Sequence, residues 1–305
     1  MASPNIVRPL IKNLNMQAGQ KKRVQTGVRD AAVLPLFAAA MRQRALADAP
    51  QLSPTDHVST GLRSLDTVLR GGFPIAATSL VAARPRVGAT SLLFGSGLAA
   101  LKDGLRVAYF CDHLREDQIR GRFVILESRV NGYRFKAGFV SDEDRLLMAA
   151  ARERISWSAM SVVAQKKVRL IDIDNHLYAY HSHLAVVDLQ DRVFGGYSKV
   201  GELVRWIEDL TSIAQRFKVA VVVRMVLPQG AEPPNRLELP GLGSVADGFS
   251  TVLLVHREEV TDPAHVSEAA LGQAEVQAVR INGHDVEPRF VSLRFDQRFA
   301  GFLDL

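Results

Sequence analysis

The sequence holds one cysteine, Cys111, two tryptophans and five tyrosines in 305 residues. A lone thiol excludes an intramolecular disulfide and fits a reducing, cytoplasmic setting. Long apolar runs are absent too. The apolar runs present, such as Val219–Val223, fall far short of the roughly 18 residues a membrane helix needs, so no membrane partner is expected. The first residues show no apolar core followed by a cleavage signature, which argues against a secretory signal. Acidic side chains are scarce at one end only. Residues 1–50 carry eight basic side chains against two acidic ones, and the remaining 255 carry 30 of each, so the net charge of +6 belongs to the N-terminal segment. Otherwise the chain is 47% hydrophobic and 23% charged. That composition excludes fibrous and wholly disordered classes and allows a sizeable core.

Three regions follow from the patterning. Residues 1–32 lack periodicity and read as a basic arm. Its densest run, Lys21-Lys22-Arg23, is a candidate contact for DNA phosphates or an acidic partner. Residues 33–54 hold a helix over Val33–Ala47, ended by Asp48-Ala49-Pro50 and Ser53-Pro54. Such a helix cannot bury its apolar face alone and needs a docking surface. Residues 55–305 alternate strands and helices. Strands are predicted at Ala77–Ala83, Arg106–Cys111, Leu170–Ile173, Leu184–Asp188, Val219–Val223, Thr251–Val255 and Phe290–Phe295. Helices are predicted at Thr90–Leu101, Glu116–Ser128, Asp142–Ile155 and Lys199–Phe217, the third capped by Ser141 with Asp144. Continuous apolar strands between helices predict an α/β fold, a mainly parallel sheet with helices on both faces.

Between the first of these strands and its helix lies Ala83-Arg84-Pro85-Arg86-Val87-Gly88-Ala89-Thr90-Ser91. A phosphate-binding loop belongs there, because N–H groups at a helix N-terminus attract anions. Such loops need Lys before Ser/Thr to reach the outer phosphates, with the hydroxyl placed for magnesium. Here Gly88 and Thr90 stand in place, and Ala89 occupies the lysine position.

Taken with its surroundings, this stretch resembles the C-terminal ATPase domain of DnaB-type replicative helicases, a RecA-like P-loop fold. Ala83-Arg84-Pro85 is the most characteristic run. Upstream, Thr60-Gly61-Leu62, Leu65-Asp66 and Leu69 resemble the start of that domain and are shared with RadA-like and KaiC-like relatives. Downstream, Tyr109-Phe110-Cys111-Asp112-His113-Leu114 with Glu116, Gln118-Ile119 and Arg122 keeps step with it. So do Gly243-Ser244-Val245, Asp247, His256-Arg257-Glu258-Glu259 and Asn282-Gly283.

The resemblance implies a nucleotide site at Arg84, Pro85, Arg86, Gly88, Ala89, Thr90 and Ser91, with ATP and magnesium as cofactors. Thr90 and Asp188 then fall at the magnesium position. The departures are concentrated there. His113 stands where the resemblance implies the catalytic glutamate, and Val226 near the polar sensor. In Val279-Arg280-Ile281, Arg280 alone remains of a basic arginine-finger pair. A missing charge-assisted hydrogen bond removes about 1.5–3 kcal/mol. A missing general base removes on the order of 10²–10⁴ in rate, and an arginine finger roughly 10³–10⁵. Negligible hydrolysis is therefore expected.

Three readings follow. The first is a non-catalytic helicase-like subunit of DNA replication or repair, with His113 and Asp188 as the remaining catalytic-position residues. The second is an active ring ATPase that moved its cation to Arg86 and its base to His113. The third is a recombination-type binding module. Candidate DNA contacts are Arg192 and Lys199 in Gln190–Lys199 and Arg236 in Gln229–Leu242. A metal cluster of His176, His181 and His183 with Asp172, Asp174 and Asp188 is the weaker reading; solvated loop histidines are favoured. The implied partners are single-stranded DNA, a replication or repair protein such as an active helicase, or further copies in a ring. The short segment before the core implies that the separate N-terminal helical domain of such helicases is missing.

Overall fold

The computed structural model describes residues 56–190, 200–230, 232–239 and 243–305. The basic arm, the Val33–Ala47 helix, Arg192 and Lys199 lie outside the described residues. His57–Val58 (β1) and Phe73–Pro74 (β2) pair as a small antiparallel ribbon flanking helix Arg63–Leu69 (α1). Among the described residues the main sheet has nine strands. Its parallel part comprises Ala77–Ala83 (β3), Val107–Cys111 (β4), Met160–Ala164 (β5), Leu184–Asp188 (β6), Ala220–Val226 (β7) and Thr251–His256 (β8). Gln273–Ile281 (β9), His284–Asp296 (β10) and Gly301–Asp304 (β11) extend it antiparallel, giving the order β11-β10-β9-β8-β3-β7-β6-β4-β5.

The central strands are mostly apolar because both faces are covered. Val81, Tyr109, Val186 and Val222 face one layer, with Leu92 and Phe94 of Ala89–Lys102 (α2) and Phe123 of Glu116–Ser128 (α3). Leu80, Phe110, Val187 and Val221 face the other, packed by Ile173 and Leu177 of Leu170–Tyr180 (α6) and by Leu203, Ile207 and Leu210 of Val200–Phe217 (α7). Successive strand residues alternate between the two layers, as the pleat requires. Between α3 and β5 lie Gly132–Lys136 (α4) and Asp142–Arg154 (α5). The capping box predicted for α5 is present. Ser141 Oγ accepts the Asp144 N–H at 3.1 Å, and the Asp144 carboxylate accepts the Ser141 N–H at 3.1 Å.

One predicted strand is overturned. Leu170–Ile173 forms the first turn of α6, where the Asp172 carboxylate accepts the Arg169 backbone N–H at 2.9 Å and pairs with its guanidinium. The run Leu170-Ile171-Asp172-Ile173, apolar but for Asp172, mimics a strand, but burial of Ile173 and Leu177, one turn apart, sets the helical period. The strand in this region is β5, whose Met160–Ala164 pairs with β4 and whose short apolar run is not among the predicted strands.

Candidate phosphate-binding site

A parallel sheet delivers the C-terminal ends of all its strands to one edge, where ligands of open α/β folds bind. Here that edge collects the ends of β3, β4, β6, β7 and β8. After β3 the chain turns through Arg86, held at φ 66°, and Gly88, at φ 127°, and enters α2 at Ala89. A Cβ on Gly88 would stand 2.8 Å from Phe302 Cζ, so glycine is required by both its backbone and its neighbour. The loop borders a cavity of about 430 Å³ that also takes in Arg122, Arg224 and Arg257.

Asp188, fully buried at the end of β6, is the hub beneath the loop. Its Oδ1 accepts the Thr90 hydroxyl at 3.4 Å, and its Oδ2 accepts the Tyr109 hydroxyl at 2.9 Å. The Arg224 guanidinium also lies on Oδ1 through Nε, and its Nη2 donates to the Leu189 carbonyl at 2.8 Å. Arg224 is itself 8% exposed. It reaches Asp188 because β6 and β7 are parallel neighbours, with Val187 opposite Val223. Burial and the Asp188 charge hold the Tyr109 hydroxyl well above its ordinary pKa, so it remains a donor.

Sequence reasoning missed Arg224. It places the polar residue of this strand near Val226, at the strand's end, but Arg224 lies two residues earlier on the same face. The signal was available: Arg224 is the one charged side chain in Ala-Val-Val-Val-Arg-Met-Val, and an interior charge in a buried strand demands a partner.

The other site residues divide by where their donors go. Arg84 turns away from the loop. Its Nη1 donates to the Pro228 carbonyl at 2.7 Å and pairs with Glu238 at 2.8 Å, while Nη2 donates to the Glu232 carbonyl at 3.0 Å. Arg280 gives Nε to the Phe249 carbonyl at 2.8 Å and Nη1 to Asp285 at 2.6 Å. Arg236 pairs with Asp247 at 2.5 Å and also with Asp285, so its charge is matched within the chain. Arg86 is exposed at the cavity rim.

His113 Nδ1 lies 3.3 Å from Asp112 Oδ1 and 3.5 Å from Cys111 Sγ, and its Nε2 lies 3.8 Å from Asp188 Oδ2. Cys111, His113 and Asp188 thus place three metal-type donor atoms within 4.8 Å of one another. Burial pushes the Cys111 thiol pKa up, and the Asp188 oxygens already have donors, so hydrogen bonding accounts for the cluster.

Of the histidines singled out further along the chain, His176 and His183 are held by hydrogen bonds within the fold. His176 Nε2 bonds Ser161 Oγ at 2.8 Å beneath the stacked Tyr180 ring, and His183 Nδ1 accepts the Arg106 N–H at 2.9 Å. Desolvation lowers both pKa values to about 4, with Arg106 adding to the shift at His183.

The family model of the DnaB-like helicase C terminal domain matches residues 57–304. The chain belongs to that family. It is 24% identical over 263 residues to the replicative DNA helicase DnaB of Leifsonia xyli subsp. xyli, covering 81% of this chain and 56% of that protein. It is 22% identical over 215 residues to the replicative DNA helicase DnaB of Treponema pallidum, covering 66% and 48%. The chain therefore spans about half the length of the curated relatives it matches. Among solved structures, one ATPase domain superposes with a TM-score of 0.71 at 18% identity, covering 92% of this chain and 100% of that one. A DnaB-like replicative helicase described with its interactions with primase gives 0.68 at 16% identity, covering 92% and 68%. The RadB recombinase gives 0.53 at 18% identity, covering 81% and 99%. These likenesses show the RecA-like fold. Among the described residues no helix is long and apolar enough to cross a membrane.

Proposed function

We propose that this DnaB-like domain serves DNA replication or repair as a structural or regulatory subunit that does not hydrolyse ATP. The observation that carries the reading is the Arg224–Asp188 pair behind a loop with Ala89 at the lysine position. In P-loop ATPases a magnesium ion is held by the loop Ser/Thr and the aspartate at the end of this strand. Here Asp188 already receives the Arg224 guanidinium, the Thr90 hydroxyl and the Tyr109 hydroxyl. A divalent ion between Thr90 and Asp188 would share its carboxylate ligand with a guanidinium, in a buried setting where like charges repel strongly. These residues do not fit magnesium. His113 does not line the cavity, and its Nε2 faces Asp188 at 3.8 Å.

The proposed partners are single-stranded DNA, a replication or repair protein including an active helicase, or further copies of this chain in a ring. Phosphate release from ATP by the purified chain, with and without single-stranded DNA, tests the reading. No turnover above background is expected, and a helicase-like rate overturns it. An active ATPase using Arg86 is the competing reading, favoured by the place of Arg86 on the cavity. It requires magnesium-dependent turnover that Arg86→Ala abolishes.

A further inference from the structure

The charged side chains at the loop cavity are all arginines. Arg84, Arg86, Arg122, Arg224 and Arg257 line it, and no aspartate or glutamate does among the described residues. Three of these charges are already matched: Arg84 by Glu238, Arg224 by Asp188 and Arg257 by Glu259. Arg86 and Arg122 have no carboxylate partner among the described residues. Arg122 is fixed over the Phe94 ring at 4.6 Å, and Arg86 is held in the left-handed region. A non-glycine residue kept there is strained, and such strain concentrates at ligand clamps. Between them the loop leads into a 14-residue helix whose first N–H groups have no helical acceptor.

We infer that this cavity binds a di- or triphosphate group without any divalent cation, the arginines replacing both the loop lysine and the metal. The inference rests on the non-hydrolytic reading above and adds the ligand class of the same site. Among the described residues, Arg86 and Arg122 are the two cavity arginines without a carboxylate, and guanidinium forks match phosphate oxygens in paired bonds. Arg224 stands as a fixed cation beneath the loop, with Asp188 as its counter-ion. The arrangement binds phosphate and holds no ion against the leaving oxygen, so it separates binding from hydrolysis.

The sign of one substitution separates this from magnesium-held nucleotide. Where Asp188 serves a metal, Asp188→Asn weakens binding. Where Asp188 only balances Arg224, Asp188→Asn removes negative charge beside the phosphates and leaves binding unchanged or tighter.

The test is titration calorimetry of the full chain with ATP, and separately with inorganic tripolyphosphate, in excess EDTA and in millimolar magnesium. Saturable binding in EDTA is expected, with no gain from magnesium. ATP binding tighter than tripolyphosphate assigns the ligand to nucleotides, and equal affinities assign it to the phosphate chain alone; either result supports the inference. Arg86→Ala and Arg122→Ala are each expected to weaken binding about tenfold or more, with Asp188→Asn unchanged or tighter. Arg86 is exposed, so its variant folds whatever becomes of Asp188→Asn. No binding in EDTA at millimolar ligand overturns the inference, as does binding that requires magnesium. Binding indifferent to both arginine variants places the phosphate elsewhere and also overturns it. Hydrolysis of ATP alongside metal-free binding would instead sink the non-catalytic reading and leave this inference standing.

Discussion

Replacing Arg224 by methionine keeps most of the side-chain volume but removes the charge facing Asp188. The carboxylate is fully buried and Arg224 is 8% exposed, so water cannot take over the lost pairing. Breaking a buried pair from one side costs about 3–5 kcal/mol, because the remaining charge stays desolvated. The Tyr109 and Thr90 hydroxyls still donate to Asp188 and hold the loss toward the lower end of that range. For a domain of this size each kcal/mol lowers the melting temperature by roughly 2–4 °C, so Arg224→Met should melt about 6–15 °C below the parent. The double variant Asp188→Asn, Arg224→Met removes both charges and should recover most of the loss, since neutral replacements of buried pairs are often tolerated. Thermal melting by circular dichroism at neutral pH reads both. A single variant that melts with the parent, or a double variant no better than the single, would refute the claim that Arg224 and Asp188 form a mutually dependent buried pair.

Ala89→Lys restores the loop lysine but leaves Arg224 on Asp188, so ATP turnover should stay at background; a helicase-like phosphate-release rate would show that the lysine alone was missing. Gly88→Ala places a methyl 2.8 Å from Phe302 Cζ at a φ of 127°. Urea unfolding should show a loss of about 1–3 kcal/mol, and a neutral result would mean that the loop relaxes freely. His176 and His183 are held at about 4 against an ordinary 6.5. The unfolded chain then binds more protons between those values, so stability present above pH 6.5 is lost as pH falls toward 4. His176→Asn should flatten that slope in pH-dependent denaturation, and an unchanged slope would remove His176 from the account.

Local patterning carried the elements with strong periodicity. The stripe at Leu203, Ile207 and Leu210 made α7 legible, and the apolar runs of β3, β6 and β8, alternating with helical segments, read as strands buried on both faces. The loop position, its glycine and the alanine at the lysine position were equally plain, because they are adjacent in the chain. Short runs carried less, since three or four apolar residues fit either period. Leu170–Ile173 therefore reads as a strand by itself, and only the burial of Leu177 on the same face as Ile173 makes it a helix.

What the sequence determined by itself was the fold class, the family resemblance and the residues of the loop. What only the tertiary structure decided was where their charges go. Arg84 is next to the loop in sequence but spends its donors on Pro228, Glu232 and Glu238. Arg224 is far from the loop in sequence and lies beneath it. The reason is the parallel sheet. It aligns the ends of strands dozens of residues apart, so a buried arginine on β7 meets the aspartate ending β6 at a distance that no sequence spacing expresses.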